Sequence, residues 1–563
     1  MSTKHRIHEG FFRAKLLVGA IVLGAFIGVI TYIFYLADWA DMGLIEIWRI
    51  GAHVYERAPI HLAVAAFGGA VALGWPVWMF AWRPGAGRIG DADDKTDNLR
   101  GQRLVTVNEI KKQIRSERTK TRLEIGGVPI PIDVEDGGFL LAGSPKTGKS
   151  QATTKMLDTL QAGGQRAVIA DAEGIFYSRY ASTDAVLFNP LDRRSVSWSP
   201  LAELKSTHDC AALAKSLIPD GQGAEASWND AAQTVLEGLL RRCWETGKTN
   251  AELYRLACVA DTEELQKLLA GTAAMTVVGN ARYFGEVRPG LGRYLRCFEY
   301  LDPAAGRNSF SVRDYITDEN GWLFITYMQE QRAALLPLIQ CTLDVASRTI
   351  LSLPHTTGDR SKQKRTWFVL DELPLLGRIM SLIPLLTNGS KHGAAVIATA
   401  QTIALFRETY GHDTTQTILA TLGTWLTLRV KDPETAEYMS ESLGDEEIRR
   451  VANSAGKNDS GKSENRSEQY NDRRVVMPSQ LQNLPNLQGY LDISGNLPVC
   501  AVTLPIAEQR PPAAPAFEPA PLRSAVPVAA PVLADDTDTD TTEDTSDDAV
   551  TSDAADVPFS LER

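Results

Sequence analysis

The chain has 563 residues, with 58 Lys+Arg against 69 Asp+Glu, a net charge of −11, 44% apolar residues and 23% charged residues. Such ordinary usage excludes a wholly disordered or fibrous chain, and the length allows about three to five domains of roughly 100–200 residues. An acidic total also argues against a basic, nucleic-acid-binding surface spread over the whole molecule.

At the N-terminus, Leu16–Ala37 is 22 residues without a charge, and Ala58–Trp82 is 25 residues whose one ionisable group is His61. Each exceeds the ~20 residues that cross ~30 Å of hydrocarbon as a helix. The first run is longer than the ~7–15-residue apolar core of a cleaved signal, and a second run follows at once. Tyr32, Tyr35 and Trp39 near the first run, and Trp75, Trp78 and Trp82 near the second, suit membrane interfaces. Lys4, Arg6, Arg13 and Lys15 precede the first run, and Arg83 and Arg88 follow the second. The loop between holds Arg49 and Arg57 beside Asp38, Asp41, Glu46 and Glu56. The positive-inside rule then puts both termini in the cytoplasm. Small residues at Ala20, Gly24 and Gly28, and at Ala66, Ala70 and Gly74, recur every four positions and let helices approach closely. Residues 1–88 are read as a transmembrane domain with spans about 15–37 and 59–82, and residues 89–136 as a cytoplasmic connector. Within the connector, Lys111–Arg122 carries six positive charges and one negative. It reads either as a solvated helix face or as a contact for lipid headgroups or nucleic-acid phosphate.

Next come a short apolar run, Phe139–Ala142, then Gly143-Ser144-Pro145-Lys146-Thr147-Gly148-Lys149-Ser150, then a helix-like stretch, Ala152–Leu160. This is G-x-x-x-x-G-K-S between a strand and a helix, the context a phosphate-binding loop requires. Its glycines let backbone N–H groups wrap phosphates at a helix N-terminus. Lys149 is placed to reach the β- and γ-phosphates of ATP, and Ser150 to bind Mg2+. The partner carboxylate is expected where Trp367–Leu370 runs into Asp371 and Glu372, with Asp371 on the Mg2+ shell and Glu372 polarising the attacking water. Arg166–Asp171, Trp322–Thr326 and Ala394–Ala400 are further strands, the last ending at Gln401, which can sense the γ-phosphate or simply cap the strand. Apolar strands alternating with helices predict a mostly parallel α/β sheet covered on both faces. Residues 137–202 and 304–505 are assigned to this nucleotide-binding domain, and residues 203–303, with apolar residues at helical spacing, to an inserted all-α domain.

Asn453–Arg474 is Ser-, Asn-, Gly- and Lys-rich and reads as a mobile polar loop. Its Lys457, Lys462, Arg466, Arg473 and Arg474 are candidate DNA contacts, balanced by Asp459, Glu464, Glu468 and Asp472. Residues 506–533 read as a semi-extended Pro/Ala linker, and residues 534–563 as a disordered acidic tail. That tail holds 11 acids and one arginine, so the body before it sums to −1 and the acidic total does not exclude a DNA partner. The tail is either a solubiliser or a docking peptide for a basic partner. The six cysteines are scattered without a C-x-x-C pair and read as reduced thiols.

The ordered series resembles one family. Two N-terminal spans, the P-loop, Asp171–Gly174 (DAEG), Leu187–Trp198 (LFNPLDRRSVSW), a helical insertion, Leu370–Glu372 (LDE), a strand ending in Gln401, and Arg474–Leu491 (RVVMPSQLQNLPNLQGYL) are similar to the type IV secretion coupling proteins, the TraD/TrwB-like ATPases of conjugation. The resemblance covers roughly residues 10–505. It implies a RecA-like motor core related to FtsK-type translocases, and a homohexamer around a channel in the bacterial inner membrane. It further implies ATP-driven passage of relaxase-bound single-stranded DNA to a type IV secretion channel. Relaxase and accessory proteins are the partners implied for the all-α domain and the tail, channel components those for the transmembrane domain. Close relatives carry an arginine, thought to reach a neighbour's γ-phosphate, in the stretch matching Thr387–Gly393. Here Ser390 stands there with Lys391 beside it, leaving Lys391, Arg378 and Arg429 as candidate trans fingers. No sequence-reading DNA module is visible, so single- or double-stranded DNA is expected to bind without sequence preference. Rival readings are a coupling protein that sorts effector proteins, a non-hydrolysing membrane receptor, and a chromosome-segregating translocase, which would be expected to carry a C-terminal winged helix.

Overall fold

Two apolar helices open the described part of the chain, one over residues 20–32 and one over Pro59–Trp82. The computed structural model describes residues 18, 20–32, 59–82, 97–117, 119–221, 223, 225–318, 321–359, 362–458 and 461–521. The basic flanks expected to orient the membrane spans, the loop between the spans, and the acidic tail lie outside these residues. The two helices meet where side chains are smallest. A Cβ added at Gly24 would fall 2.3 Å from the Gly69 carbonyl oxygen, and one at Gly28 would fall 2.3 Å from that of Ala65. The contact therefore uses Ala65 and Gly69, not the expected stripe of Ala66, Ala70 and Gly74. Interleaved stripes share the same spacing, and the one centred on a glycine allows the closest approach. Outward faces are apolar: Val18, Phe26, Val64 and Phe67 are each at least 60% exposed.

Contacts divide the chain into two units, Met1–Ala185 with Ile316–Ile325 and Ala346–Ala514, and Val186–Tyr315 with Thr326–Val345 and Pro515–Arg563. The sheet of the first unit runs Leu104–Thr106, Val499–Thr503, Gln488–Asp492, Thr424–Thr427, Phe139–Ala142, Ala394–Ala400, Thr366–Leu370, Arg166–Ala172, Trp322–Tyr327. From Thr424–Thr427 to Arg166–Ala172 the neighbours are parallel. Every residue of Phe139–Ala142, Thr366–Leu370 and Ala394–Ala400 is buried, as parallel strands covered on both faces require. Gln488–Asp492 and Val499–Thr503 form an antiparallel hairpin along one side. Leu104–Thr106, from the segment read as a connector, closes that edge in parallel. These edge strands are three to five residues long, too short for an apolar period to stand out.

The polar Asn453–Arg474 segment is not a loop. Asp445–Asn458 pairs antiparallel with Gly461–Arg474, from Asp445↔Arg474 to Asn458↔Gly461, and Asp97–Gly101 pairs along its base. A ladder of backbone hydrogen bonds defines these strands, and the sequence is polar at nearly every position, so no alternation announces them. Lys457 and Lys462 are partners in the register of this ladder.

In the second unit, residues 203–303 hold the helices Thr207–Leu217, Glu225–Glu245, Asn250–Cys258, Thr262–Leu268, Met275–Val278 and Ala281–Leu295, and no strand among the described residues. Leu213, Val235, Leu236, Leu239, Leu253, Phe284 and Leu291 are 0–1% exposed and form their core. The unit is wider than this segment because two polar side chains draw its flanks in. Buried Glu203 accepts from Trp198 Nε1 at 2.7 Å, the Val312 N–H at 2.7 Å and the Arg313 N–H at 3.0 Å. Asn250 Nδ2 donates to the carbonyls of Trp198 and Asp302, both at 3.0 Å. All six cysteines are free thiols.

The described part of the Pro/Ala segment is a docked strap rather than a free linker. In the first unit the Ala507 N–H donates to Gln151 Oε1 (2.7 Å), Arg179 to the Glu508 carbonyl (2.8 Å) and the Ala513 N–H to the Ser178 carbonyl (2.7 Å). In the second unit, Arg194 donates to the Pro515 carbonyl (2.8 Å), and the Ala520 N–H to the Leu191 carbonyl (2.8 Å). Proline pre-extends such a chain and removes donors, leaving the remaining N–H and C=O groups free to bond a neighbouring surface. Arg332–Ser352 is long and apolar enough to cross a membrane, but it is mostly buried and serves as a core helix.

Candidate active site

Gly143–Ser150 leaves the buried strand Phe139–Ala142 and enters the helix Lys149–Ala162, so it sits at the carboxyl edge of the parallel strands. The Gly143 and Ser144 N–H groups are held by the carbonyls of Ala400 (3.1 Å) and Arg429 (2.8 Å). Lys146 has φ 63°, and Gly148 has φ 126°, a conformation that glycine alone adopts readily. The outer wall of the loop is C-terminal sequence. The Leu487 N–H donates to the Thr147 carbonyl (2.8 Å), and a Cβ on Gly148 would lie 3.0 Å from Leu487 Cδ2 and 3.1 Å from Leu504 Cδ1. This shapes a tight backbone cradle of phosphate-binding type. The Lys149 ammonium donates to the Gly143 carbonyl at 2.5 Å. Burial pulls its pKa below the ordinary lysine value, and the charges of Glu372 and Asp371 oppose that pull.

Asp371 and Glu372 follow the strand Thr366–Leu370 at the same edge. Sequence reasoning missed the residue that joins them, Thr399, two positions before Gln401 on the neighbouring strand. Thr399 Oγ1 donates to Asp371 Oδ1 (2.9 Å) and accepts the Glu372 N–H (2.8 Å). Its signal is positional: it shares a strand face with Gln401. Gln401 Nε2 donates to Glu372 Oε2 (2.9 Å), so the strand-end glutamine is linked to the candidate base. Glu372 adopts φ 54°, and its Oε1 is buried with no hydrogen-bond partner. Left-handed backbone on such a residue costs of order 1–3 kcal/mol and clusters at functional sites. Burial pushes both carboxyls above the ordinary carboxylate range. Thr399 and then Lys149 pull Asp371 back, and Lys149 and then Gln401 do so for Glu372.

The donor set fits a nucleoside triphosphate with a hard divalent cation. There is a cradle of N–H groups, a lysine on a bond it can exchange, a serine hydroxyl and a carboxylate for the ion, and an unspent carboxylate oxygen beside them. Of the candidate fingers, Lys391 is exposed in the turn Gly389–His392 and Arg378 is half-buried. Arg429 lies against its own P-loop and donates to the Leu484 carbonyl (3.2 Å).

A family profile described as "Type IV secretion-system coupling protein DNA-binding domain" matches residues 122–505. "Coupling protein TraD" of Escherichia coli (strain K12) is 25% identical over 449 residues, covering 77% of this chain and 61% of TraD. The chain therefore spans about three fifths of the length of that relative. The solved structure "Bacterial conjugative coupling protein TrwBdeltaN70" in its unbound monoclinic form superposes with TM-score 0.68 at 30% identity, covering 75% of this chain and 96% of that one. "Plasmid coupling protein TrwB in complex with ADP and Mg2+" gives TM-score 0.66 at 30% identity, covering 75% and 97%.

Proposed function

This chain belongs to the type IV secretion-system coupling proteins, and from that premise we propose that it is a membrane-anchored ATPase of conjugative DNA transfer. It works as a homohexamer in the bacterial inner membrane and passes relaxase-bound single-stranded DNA to a type IV secretion channel. The observation that carries this reading is the linked edge of Lys149, Asp371, Thr399, Glu372 and Gln401 around one phosphate cradle.

The N–H groups of Lys146–Ser150 hold the phosphates of ATP, and Lys149 exchanges its Gly143 carbonyl bond for the β- and γ-oxygens. Ser150 and Asp371 hold Mg2+, which when bound neutralises charge across the phosphates. Glu372 turns its unpartnered Oε1 to the attacking water. Gln401 holds the other oxygen of Glu372 and relays the γ-phosphate to it. The exposed Lys391 and half-buried Arg378 are the candidates to act on a neighbouring subunit, whereas the Arg429 guanidinium bonds the Leu484 carbonyl of its own chain.

The two N-terminal helices cross the membrane with both termini in the cytoplasm. Their outward Val18, Phe26 and Phe67 suit lipid, and Gly24 and Gly69 suit helix-to-helix packing. The all-α insertion and the acidic tail receive the relaxase and its accessory proteins. DNA is bound without sequence preference. The test is phosphate release by the full chain in detergent, with and without single-stranded DNA, beside plasmid transfer in cells. Wild type turns over and transfers, and Lys149→Ala loses both, with turnover falling by about 10² or more. Transfer surviving Lys149→Ala contradicts the reading.

A further inference from the structure

One carboxylate at the same edge has no part in the scheme above. Asp171 is the penultimate residue of the strand Arg166–Ala172, which pairs in parallel with the Asp371 strand through Ala170↔Leu370. On the other side Leu370 pairs with Ala398. Residues in register across a ladder share a face, so Asp171, Asp371 and Thr399 form a row across three strands. The Asp371 N–H donates to the Ala170 carbonyl at 3.2 Å, which fixes that register up to the site. Asp371 is the middle member. One flank is bonded to it, through Thr399 at 2.9 Å. On the other flank Asp171 is 0% exposed, and only half of its carboxyl group is used. Oδ2 accepts the Tyr177 N–H at 2.7 Å, while Oδ1 is buried with no partner.

A buried carboxyl oxygen without a donor costs free energy of the size of a lost hydrogen bond, so its persistence asks for a partner that arrives later. The group that brings donors to this spot is a hydrated cation on Asp371, whose bound waters point hydrogens outward.

We propose that Asp171 is a positioning residue for the nucleotide's divalent cation: its free Oδ1 accepts from a water of the shell held by Asp371, while its Oδ2 keeps the helix Ile175–Tyr180 in place. Resting on the ATPase reading, this adds an outer-shell carboxylate to the first-shell pair of Ser150 and Asp371. It also gives the ion a mechanical exit. Ser178 and Arg179, on the helix that Asp171 holds, carry the strap: Ser178 Oγ donates to the Ala514 carbonyl (2.8 Å), and Arg179 to that of Glu508 (2.8 Å). Filling the Oδ1 site stiffens that helix and the strap on it.

The test separates the cation from the nucleotide. The full chain in detergent is titrated with fluorescent ADP at a series of Mg2+ concentrations, as wild type and as Asp171→Asn. Asparagine keeps an oxygen for the Tyr177 N–H and puts a donor-only NH2 where Oδ1 stands. In wild type Mg2+ tightens ADP binding. In the variant the Mg2+ concentration needed rises about tenfold or more, the usual loss for an outer-shell partner, and Mg2+-free ADP affinity stays the same. An unchanged Mg2+ requirement, or equal losses with and without Mg2+, overturns the proposal and leaves the ATPase reading standing. A wild type that binds no ADP overturns both. Hydrogen exchange on wild type needs no variant. The amides of residues 175–180 and 507–514 gain protection with Mg2+ and ADP over ADP alone, and identical exchange contradicts the mechanical exit.

Discussion

The nucleotide site and the C-terminal stretch from Asp445 to Pro521 differ in how their sequences encode structure. At the site, chemistry fixes residue types one by one: Lys149, Asp371 and Glu372 stand at one sheet edge because phosphate and a cation need those groups there. In the C-terminal stretch, composition is nearly all there is to read, and composition says only what a segment cannot bury. Asp445–Arg474 builds a long polar hairpin, and residues 507–520 lie along the surface as a strap. The two regions also meet, since Leu487 and Leu504 wall the P-loop and Ala507 bonds the helix that follows it.

That contrast can be broken most forcefully at the strap. Truncation after Ile506 removes the bonds to Gln151, Ser178 and Arg179 and the Arg510–Asp158 contact. At about 0.5–1.5 kcal/mol for each, these four contacts amount to about 2–6 kcal/mol. Thermal melting of the detergent-solubilised chain reads it as a drop in Tm, whereas truncation after Pro521 leaves Tm in place. Equal melting of the two truncations returns the segment to the status of a linker.

A second contrast sets carboxylates of the site against a structural one. Burial holds Asp371 and Glu372 above the ordinary range. Asp209 is held well below it: burial opposes its charge, but Arg313 at 2.7 Å, the Lys205 N–H and Ser206 overcome that. A depressed folded-state pKa means stability that is present above the unfolded value, about 3.9, and is lost as pH falls through the folded value. Asp209→Asn is therefore expected to cost about 1–3 kcal/mol at pH 7. Denaturant unfolding at stepped pH checks this, with the gap between variant and wild type narrowing below about pH 4. A gap that widens in acid contradicts the assignment.

The smallest expected effect on stability is at Lys391. It is exposed in its turn, so Lys391→Ala changes stability by no more than about 0.5 kcal/mol. If it is the trans finger, turnover per subunit falls steeply while nucleotide affinity holds. Unchanged turnover points to Arg378.

Much of the fold was legible because parallel strands covered on both faces are written as short apolar runs. Phe139–Ala142, Arg166–Asp171, Trp322–Thr326, Thr366–Leu370 and Ala394–Ala400 all lie where such runs occur. The three- to five-residue edge strands were not legible, because they present no period. The compact unit reaches beyond the all-α segment for another reason. Glu203 and Asn250 gather residues 198, 302, 312 and 313 through hydrogen bonds between positions far apart in sequence. In the site, the motif pointed to Lys149, Asp371 and Glu372. Thr399 and the free oxygen of Asp171 became visible only when register aligned three strands.

The claim that this edge hydrolyses ATP is tested most directly by separating binding from chemistry in Glu372→Gln. Glutamine keeps the size of the side chain and removes the base. The full chain carrying it, in detergent with Mg2+ and single-stranded DNA, is predicted to bind a fluorescent ATP as wild type does while phosphate release falls by about 10²–10⁴. Phosphate release at the wild-type rate would contradict the account.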